Sequence, residues 1–415
     1  MAMIEAKDRS AVWDTRCVSP GTRHAQRTTG IGAIVLGGDY QGLGIVRSLG
    51  RRGVPLCILD DERSISRYSR YTTHAVQVPS LRHEAQIIDE VLDTGRRLGL
   101  EGWVLYPTRE EIVAAFSRHR SQLAQFFRVP TPGWNTIQWA WDKRNTYQLA
   151  NDLGIPTPRT WYVHDLGDLD HVDAEPPFAL KPAIKEHFIY ATKAKAWRAD
   201  SRHELRARLQ QAHELVGPGE VMIQELIPGD GHQQFAYAAF FKGGQAIGSM
   251  VAQRWRQHPP EFGRASTFVE TVDIPLLEDL SARFLQAINY YGLVEVEYKR
   301  DPRNGEYKLL DVNARTWGYH TLGLRAGVDF PYMLFADQIG ETVAPSRGKS
   351  GIRWVRLISD LATGFVMIRD GSLDWRTYLR SLIGAHTEAV FSREDPLPGL
   401  TELALIPYLV VKRGF

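Results

Sequence analysis

The sequence predicts an α/β chain in two parts, a β-loop-α-β unit near its start and a later α+β region built around a β-hairpin. Three observations carry this reading. Ile31 to Leu36 is a short apolar run that leads into Gly37-Gly38-Asp39-Tyr40-Gln41-Gly42-Leu43-Gly44 and then a helical stretch. Phe178-Ala179-Leu180-Lys181-Pro182 is an apolar strand that ends on a lysine. Gly292 to Arg315 holds two alternating runs on either side of a dense turn.

Composition bounds the rest. A chain of 415 residues has room for two or three domains, each with a real core. The formal net charge of +2 gives no case for nucleic-acid binding by bulk electrostatics. The two cysteines, Cys17 and Cys57, exclude a disulfide framework or a Cys-rich metal site and fit a reducing cytoplasm. No apolar run is long enough to span a membrane. Residues 1–30 are polar, carry several arginines and lack an apolar h-region. They read as a mostly disordered tail and not as a secretory signal.

Taken in order, Ile45 to Arg52 reads as a helix and Val54 to Leu59 as a second strand, closed by Asp60-Asp61. Glycines leaving strand one and an acid ending strand two suggest a dinucleotide site. The spacing is not Gly-x-Gly-x-x-Gly, so the glycines read first as a tight turn in a Rossmann-like domain, with the loop kept as a substrate contact. Ala75–Val78 and Trp103–Tyr106 read as further strands, with an amphipathic helix over Leu81–Leu98 between them. Thr108 is placed to cap the next helix, with Glu111 as its capping-box partner.

Trp141-Asp142-Lys143-Arg144 opens a helix that runs to Leu153 and stops at Gly154-Ile155-Pro156-Thr157-Pro158. Arg202 to Val216 is an amphipathic helix, and Val221 to Gly229 is a strand running into a glycine turn. Phe235–Phe241 and Gln245–Gln253 pair across Lys242-Gly243-Gly244. Helices follow over Leu276–Tyr291 and Tyr332–Ile339. From Gly351 onward the elements are mixed and show no identifiable chemistry.

The hairpin carries the chemistry. Val294, Val296 and Tyr298 alternate with Glu295, Glu297 and Lys299, and Asp301-Pro302-Arg303-Asn304-Gly305 makes the turn. A turn centred near Asn304 sets Glu297 opposite Asp311, with Asn313 on the same face. Directly opposed residues lie about 5 Å apart, and like charges there repel. A cation between them relieves this, and oxygen-only ligands suit Mg²⁺ better than zinc. A solvated hairpin whose charges alternate because one face meets water fits the spacing equally well. Arg254 and Arg256, two apart at a strand end, share a face and are suited to grip carboxylates or phosphates in a cleft.

The order of these pieces resembles the ATP-grasp superfamily, over about Ile31 to Gly340. The matching pieces are the leading unit, Asp142-Lys143 before a helix, and Lys181 in Ala-Leu-Lys-Pro. Ile-Gln-Glu-Leu-Ile-Pro-Gly (223–229) and Leu-Asp-Val-Asn-Ala-Arg (310–315) complete the set. Arg254 to Glu270 is similar to the D-aspartate ligase-like branch of carboxylate–amine ligases. The resemblance implies a Rossmann-like leading domain, then a two-subdomain ATP-grasp fold (α+β), then a C-terminal extension. The implied divisions are 1–30 tail, 31–135 leading domain, 136–345 ATP-grasp domain with a lid over about 155–225, and 346–415 extension.

It further implies ATP and Mg²⁺ as cofactors and an ADP-forming ligase that makes an amide or peptide bond through an acyl phosphate. Lys143 and Lys181 would contact phosphates. Gln224, Glu225, Leu226 and Ile227 would bind the nucleoside, and Glu297, Asp311 and Asn313 the metal. Arg315 and Arg254 would be catalytic. The implied partners are carboxylic acid and amine substrates, amino acids or their derivatives, in the cytoplasm, with a homodimer as one assembly. Nucleic acid and a membrane span are not expected. A carboxylase or carbamoyl-phosphate type enzyme of the same superfamily, or a non-catalytic nucleotide-binding protein, are the alternatives. Two departures stand out. Asp311 occupies a place where many ATP-grasp proteins have glutamate. The phosphate-covering stretch from Ala183 to Asp200 has no glycine, though it holds Lys185, His187, Lys193 and Lys195.

Overall fold

The computed structural model describes Gly30 to Arg413 apart from Glu261 and Arg264. Residues 1–29 of the expected tail, with Cys17, lie outside the described residues. The chain forms two compact units: residues 30–130 with 335–341 and the segment from Val390, and residues 131–334 with 342–389. Residues 346–415, expected as one extension, therefore contribute to both.

The first unit opens with β1 (Ala33–Leu36), α1 (Tyr40–Gly50), β2 (Leu56–Asp60), β3 (His74–Gln77), α2 (Glu84–Leu98) and β4 (Val104–Pro107). The short helices α3 (Glu110–Arg118) and α4 (Arg120–Leu123) follow. Its four strands run parallel in the order β3-β2-β1-β4. β1, β2 and β4 are buried along their whole length, which is why they read as unbroken apolar runs. Ile34, Leu59, Ile87, Val91, Leu105 and Phe116 form part of the core.

Two local expectations are corrected here. The glycine stretch is mostly helix: Asp39 caps α1 and the helix starts at Tyr40. Gly42 is required because a Cβ there would fall 2.2 Å from the Gly37 carbonyl oxygen. Thr108 is not an N-cap, since that position belongs to Arg109. The Thr108 hydroxyl instead donates to the Leu36 carbonyl at 2.7 Å, tying β4 to the end of β1. The Asp60 and Asp61 carboxylates hold the Arg109 guanidinium, each at 2.7 Å.

The second unit begins with α5 (Trp134–Trp141), α6 (Lys143–Asp152), β5 (Thr160–Tyr162), β6 (Phe178–Pro182), α7 (Lys185–Thr192), β7 (Trp197–Ala199), α8 (Arg202–Val216) and β8 (Val221–Glu225). β5-β8-β6-β7 form an antiparallel sheet. Its core joins Phe178, Leu180 and Ile223 of the sheet to Leu205 and Leu209 of α8. The glycine-free stretch after β6 is α7, and Lys193 caps it at φ 58°, the left-handed conformation that glycine usually supplies.

The large sheet follows, from β9 (Gln234–Lys242), β10 (Gln245–His258), β11 (Ala265–Val272), β12 (Gly292–Arg300) and β13 (Tyr307–Asn313), with α9 (Pro275–Ala287) between β11 and β12. After α10 (Thr321–Ala326) and α11 (Phe330–Gln338) come β14 (Ser346–Arg347), β15 (Arg353–Val355), α12 (Leu357–Arg369), α13 (Trp375–Ile383) and β16 (Thr387–Glu388). The strand order is β13-β12-β9-β10-β11-β15-β16, with β14 beside β10. The last helix, α14 (Leu397–Arg413), belongs to the first unit. No helix among the described residues is long and apolar enough to cross a membrane.

Candidate active site

β12 and β13 pair as their alternation predicts, with Glu297 opposite Asp311 and Glu295 opposite Asn313. Val294, Val296 and Tyr298 are fully buried on the other face, and that burial fixes the register. The two acids do not face each other unscreened. Lys143, the first residue of α6, brings its Nζ to 2.5 Å from Asp311 Oδ1, with both side chains nearly sealed from solvent. Burial alone would raise the Asp311 carboxyl, but Lys143, Lys185 and Lys195 together hold it far below the usual range. Burial acts on Glu297 in the same way and is likewise outweighed, by Lys195 and Arg254. Lys195 Nζ lies 3.9 Å from Glu297, and Arg254 Nη2 lies 3.6 Å from it.

These groups line a cavity of about 560 Å³ in the second unit, within the range of small-molecule sites. Lys143, Lys181, Lys185, Lys195 and Arg254 reach it from α6, β6, α7, the segment before β7, and β10, and Glu297 and Asp311 lie among them. Lys181 extends from the end of β6 and donates to Gln224 Oε1 at 3.1 Å. Burial and the neighbouring Lys143 charge lower its ammonium to about 8. Lys185 donates to Asn313 Oδ1 at 3.1 Å. Lysines and arginines outnumber the carboxylates along the cavity lining, and such a surplus of cations is suited to a polyanion.

Gln224, Glu225, Leu226 and Ile227 also line the cavity. The Glu225 carboxylate is already held by Lys308 at 2.6 Å, Arg303 at 2.7 Å and the Arg159 N–H at 3.0 Å. The Leu226 N–H makes only a long bond, 3.4 Å, to the Pro177 carbonyl. Lys299 donates to the carbonyls of Ile227 and Gly229, both at 2.8 Å, and so fastens this turn to β12.

The arginines separate. Arg254 lines the cavity and donates to Gln234 at 2.7 Å and Gln257 at 3.2 Å. Arg256 does not share its face. Arg254 pairs with Val269 and Arg256 with Phe268, so Trp255 is an extra residue in β10. One extra residue inverts the alternation. Arg256 turns to Asp360 of α12 with two bonds, 2.9 and 2.8 Å, and lies between the rings of Phe268 and Tyr378. It is an anchor for α12 and α13, not a cleft residue. Arg315 does not line the cavity, but its Nη2 lies 3.4 Å from Asn313 Oδ1.

Glu295 belongs to this constellation too. It is buried, and its Oε2 accepts from Asn313 Nδ2 at 3.1 Å. Burial and the adjacent Glu297 charge raise its carboxyl. The signal was present in the alternation that places Glu295 and Glu297 on one face of β12.

The donor set fits a magnesium ion better than zinc. Glu297, Asp311 and Asn313 offer only oxygen to a metal, and no three His, Cys, Asp or Glu side chains among the described residues form a metal-sized cluster. An open set of two carboxylates and one carboxamide suits Mg²⁺, which keeps waters and takes phosphate oxygens from a substrate.

Comparison with known proteins gives the following. No family model matches the chain. A D-aspartate ligase of Enterococcus faecium (strain Aus0004) is 24% identical over 298 residues, 68% of this chain and 70% of that protein. An L-amino acid ligase from Bacillus licheniformis aligns in structure with a TM-score of 0.59 at 15% identity, covering 75% of each chain. The biotin carboxylase domain of 2-oxoglutarate carboxylase from Hydrogenobacter thermophilus, solved with MgADP, ADP and bicarbonate, gives a TM-score of 0.62 at 14% identity. That alignment covers 77% of this chain and 73% of that one. The chain has a mixed α/β fold similar to that of the two solved structures, and its similarity to the D-aspartate ligase is one of sequence.

Proposed function

We propose that this chain is an ATP-dependent ligase that joins a carboxylic acid to an amine, releasing ADP and phosphate. The observation that carries the reading is the convergence of Lys143, Lys181, Lys185, Lys195 and Arg254 on Glu297 and Asp311 in one cavity. On this reading the parallel-sheet unit is the Rossmann-like leading domain and residues 136–345 are the ATP-grasp domain, with a lid over about 155–225. A cytoplasmic setting goes with it.

Glu297, Asp311 and Asn313 would hold Mg²⁺, and Gln224 to Ile227 would face the nucleoside. MgATP would supply the phosphoryl group that turns the substrate carboxylate into an acyl phosphate with loss of ADP, and an amine attacking the acyl carbon would form the C–N bond as phosphate leaves. The protein's task is mainly electrostatic and positional. Lys143, Lys181, Lys185 and Lys195 would offset phosphate charge in the cavity they line. Arg254, steadied by Gln234 and Gln257, grips the carboxylate or its phosphate. Arg315, which bonds Asn313 from outside the cavity lining, would have to turn inward to stabilise charge at the acyl end. No covalent nucleophile is needed.

The similarity to a D-aspartate ligase makes D-aspartate the first acid to test, with amino acids as the amine. The experiment is ADP release by the purified chain over pairs of amino acids, with and without Mg²⁺. Release should need both substrates and the metal, and Glu297→Ala or Asn313→Ala should abolish it. Release with bicarbonate alone would move the reading to a carboxylase type. No release above background with any pair would leave a nucleotide-binding protein.

A further inference from the structure

Asn313 has two unlike ends, and only its oxygen can face a cation or a metal. Its neighbours decide which end turns where. The amide nitrogen sits between two carboxylates, 3.1 Å from Glu295 Oε2 and 3.1 Å from Glu297 Oε1. The oxygen meets Lys185 Nζ at 3.1 Å and Arg315 Nη2 at 3.4 Å. Glu297 borders the cavity, whereas Asn313 and Glu295 lie behind its lining. Glu295 is only 4% exposed and stands directly across the ladder from Asn313.

We propose that Glu295 is a positioning residue that fixes the Asn313 carboxamide with its oxygen toward the metal. This rests on the metal reading above. On that reading Glu297 is drawn to the ion and becomes a weaker acceptor for the Asn313 amide. Glu295 is then the stronger of its two acceptors. A carboxylate lying beyond the metal's reach orients a ligand within it, the arrangement by which outer partners tune metal sites. Without that acceptor the carboxamide can rotate by half a turn and present N–H₂ to the ion, which binds no metal.

The test compares Glu295→Gln with Glu295→Met in the full chain. Gln can turn its own oxygen to the Asn313 nitrogen. Met keeps the length and removes the acceptor. Mn²⁺ binding is titrated by electron paramagnetic resonance in the presence of ADP, and ADP binding is titrated separately in EDTA. Glu295→Met should weaken Mn²⁺ 10- to 100-fold, the loss typical of outer-shell partners. It should leave metal-free ADP affinity within about twofold, and Glu295→Gln should keep Mn²⁺ affinity near wild type.

Equal Mn²⁺ affinity in Glu295→Met and wild type overturns the proposal. So does a Glu295→Gln as weak as Glu295→Met, because charge and not the hydrogen bond would then be at work. Should Glu295→Met fail to fold, Glu295→Asp replaces it: the carboxylate then stands one methylene short of Asn313, and unchanged Mn²⁺ affinity overturns the proposal. Failure of the wild type itself to bind Mn²⁺ with ADP sinks the underlying metal reading instead, which separates the two.

Discussion

Asp311→Asn removes one charge from a pair that the surrounding protein has nearly sealed. Lys143 Nζ and Asp311 Oδ1 stand 2.5 Å apart, with side chains 5% and 6% exposed. The remaining ammonium would face Lys181 and Lys185, whose charges already oppose it. Breaking a buried pair by deleting one partner costs about 3–5 kcal/mol. For a unit of this size each kcal/mol shifts melting by about 2–4 °C, so the ligand-free variant should melt roughly 6–20 °C lower. Asn is nearly isosteric, so packing does not confound the result. Lys143→Met added to Asp311→Asn should recover a substantial part of the loss, since no charge is then left unpaired. Neither variant should release ADP. Metal-free ADP, an anion meeting a site with one acid fewer, should bind Asp311→Asn at least as well as wild type. Scanning calorimetry and an ADP titration in EDTA read both effects. A melting point within 2 °C of wild type, with Mg²⁺-dependent turnover retained, would refute the argument.

Lys181 gives a pH signature. Its ammonium titrates near 8 in the folded chain against an ordinary value of 10.5. The unfolded chain thus holds more protons between these values, and stability from this group rises with pH across that window. ADP affinity runs the other way, falling up to tenfold per unit above about pH 8, and Lys181→Met should flatten the profile. Arg256→Met should cost about 3–5 kcal/mol of stability by stranding Asp360, yet leave ADP affinity within about twofold. Arg254→Met should do the reverse, lowering turnover about 100-fold with little change in melting. Lys185→Met, which removes a donor to Asn313, should weaken ADP binding roughly tenfold on titration.

The hairpin was readable from sequence because two signals agreed, alternation on both strands and a dense turn between them. They set Glu297 against Asp311 with no need of tertiary information. Lys181 was readable for a similar reason, as the polar end of an apolar strand. Arg256 was not. Trp255 shifts the register by one, and nothing in a run of alternating residues marks which of them a partner strand will skip. Thr108 failed differently. A threonine three residues before a glutamate satisfies the capping pattern, but the helix starts one residue later, with Arg109 in the cap position, and the threonine hydroxyl donates to a carbonyl 72 positions away. Lys143 became a partner of Asp311 only through a contact across 168 positions, which local pattern does not contain.

β13 carries Asp311 and Asn313, and it is the outermost strand of the large sheet. An open strand flank invites another chain to pair with it. Here the Leu309 N–H bonds the Pro156 carbonyl at 2.8 Å, and the Leu310 carbonyl accepts from the Tyr147 hydroxyl at 2.9 Å. Tyr147 lies one turn along α6 from Lys143, so the seal and the buried ion pair come from the same helix. Protection from aggregation and alignment of the site are thereby inherited together. A nascent chain that had lost the α6 segment would present a bare strand to its neighbours, and its failure in the cell would be visible as inclusion bodies before any assay of turnover.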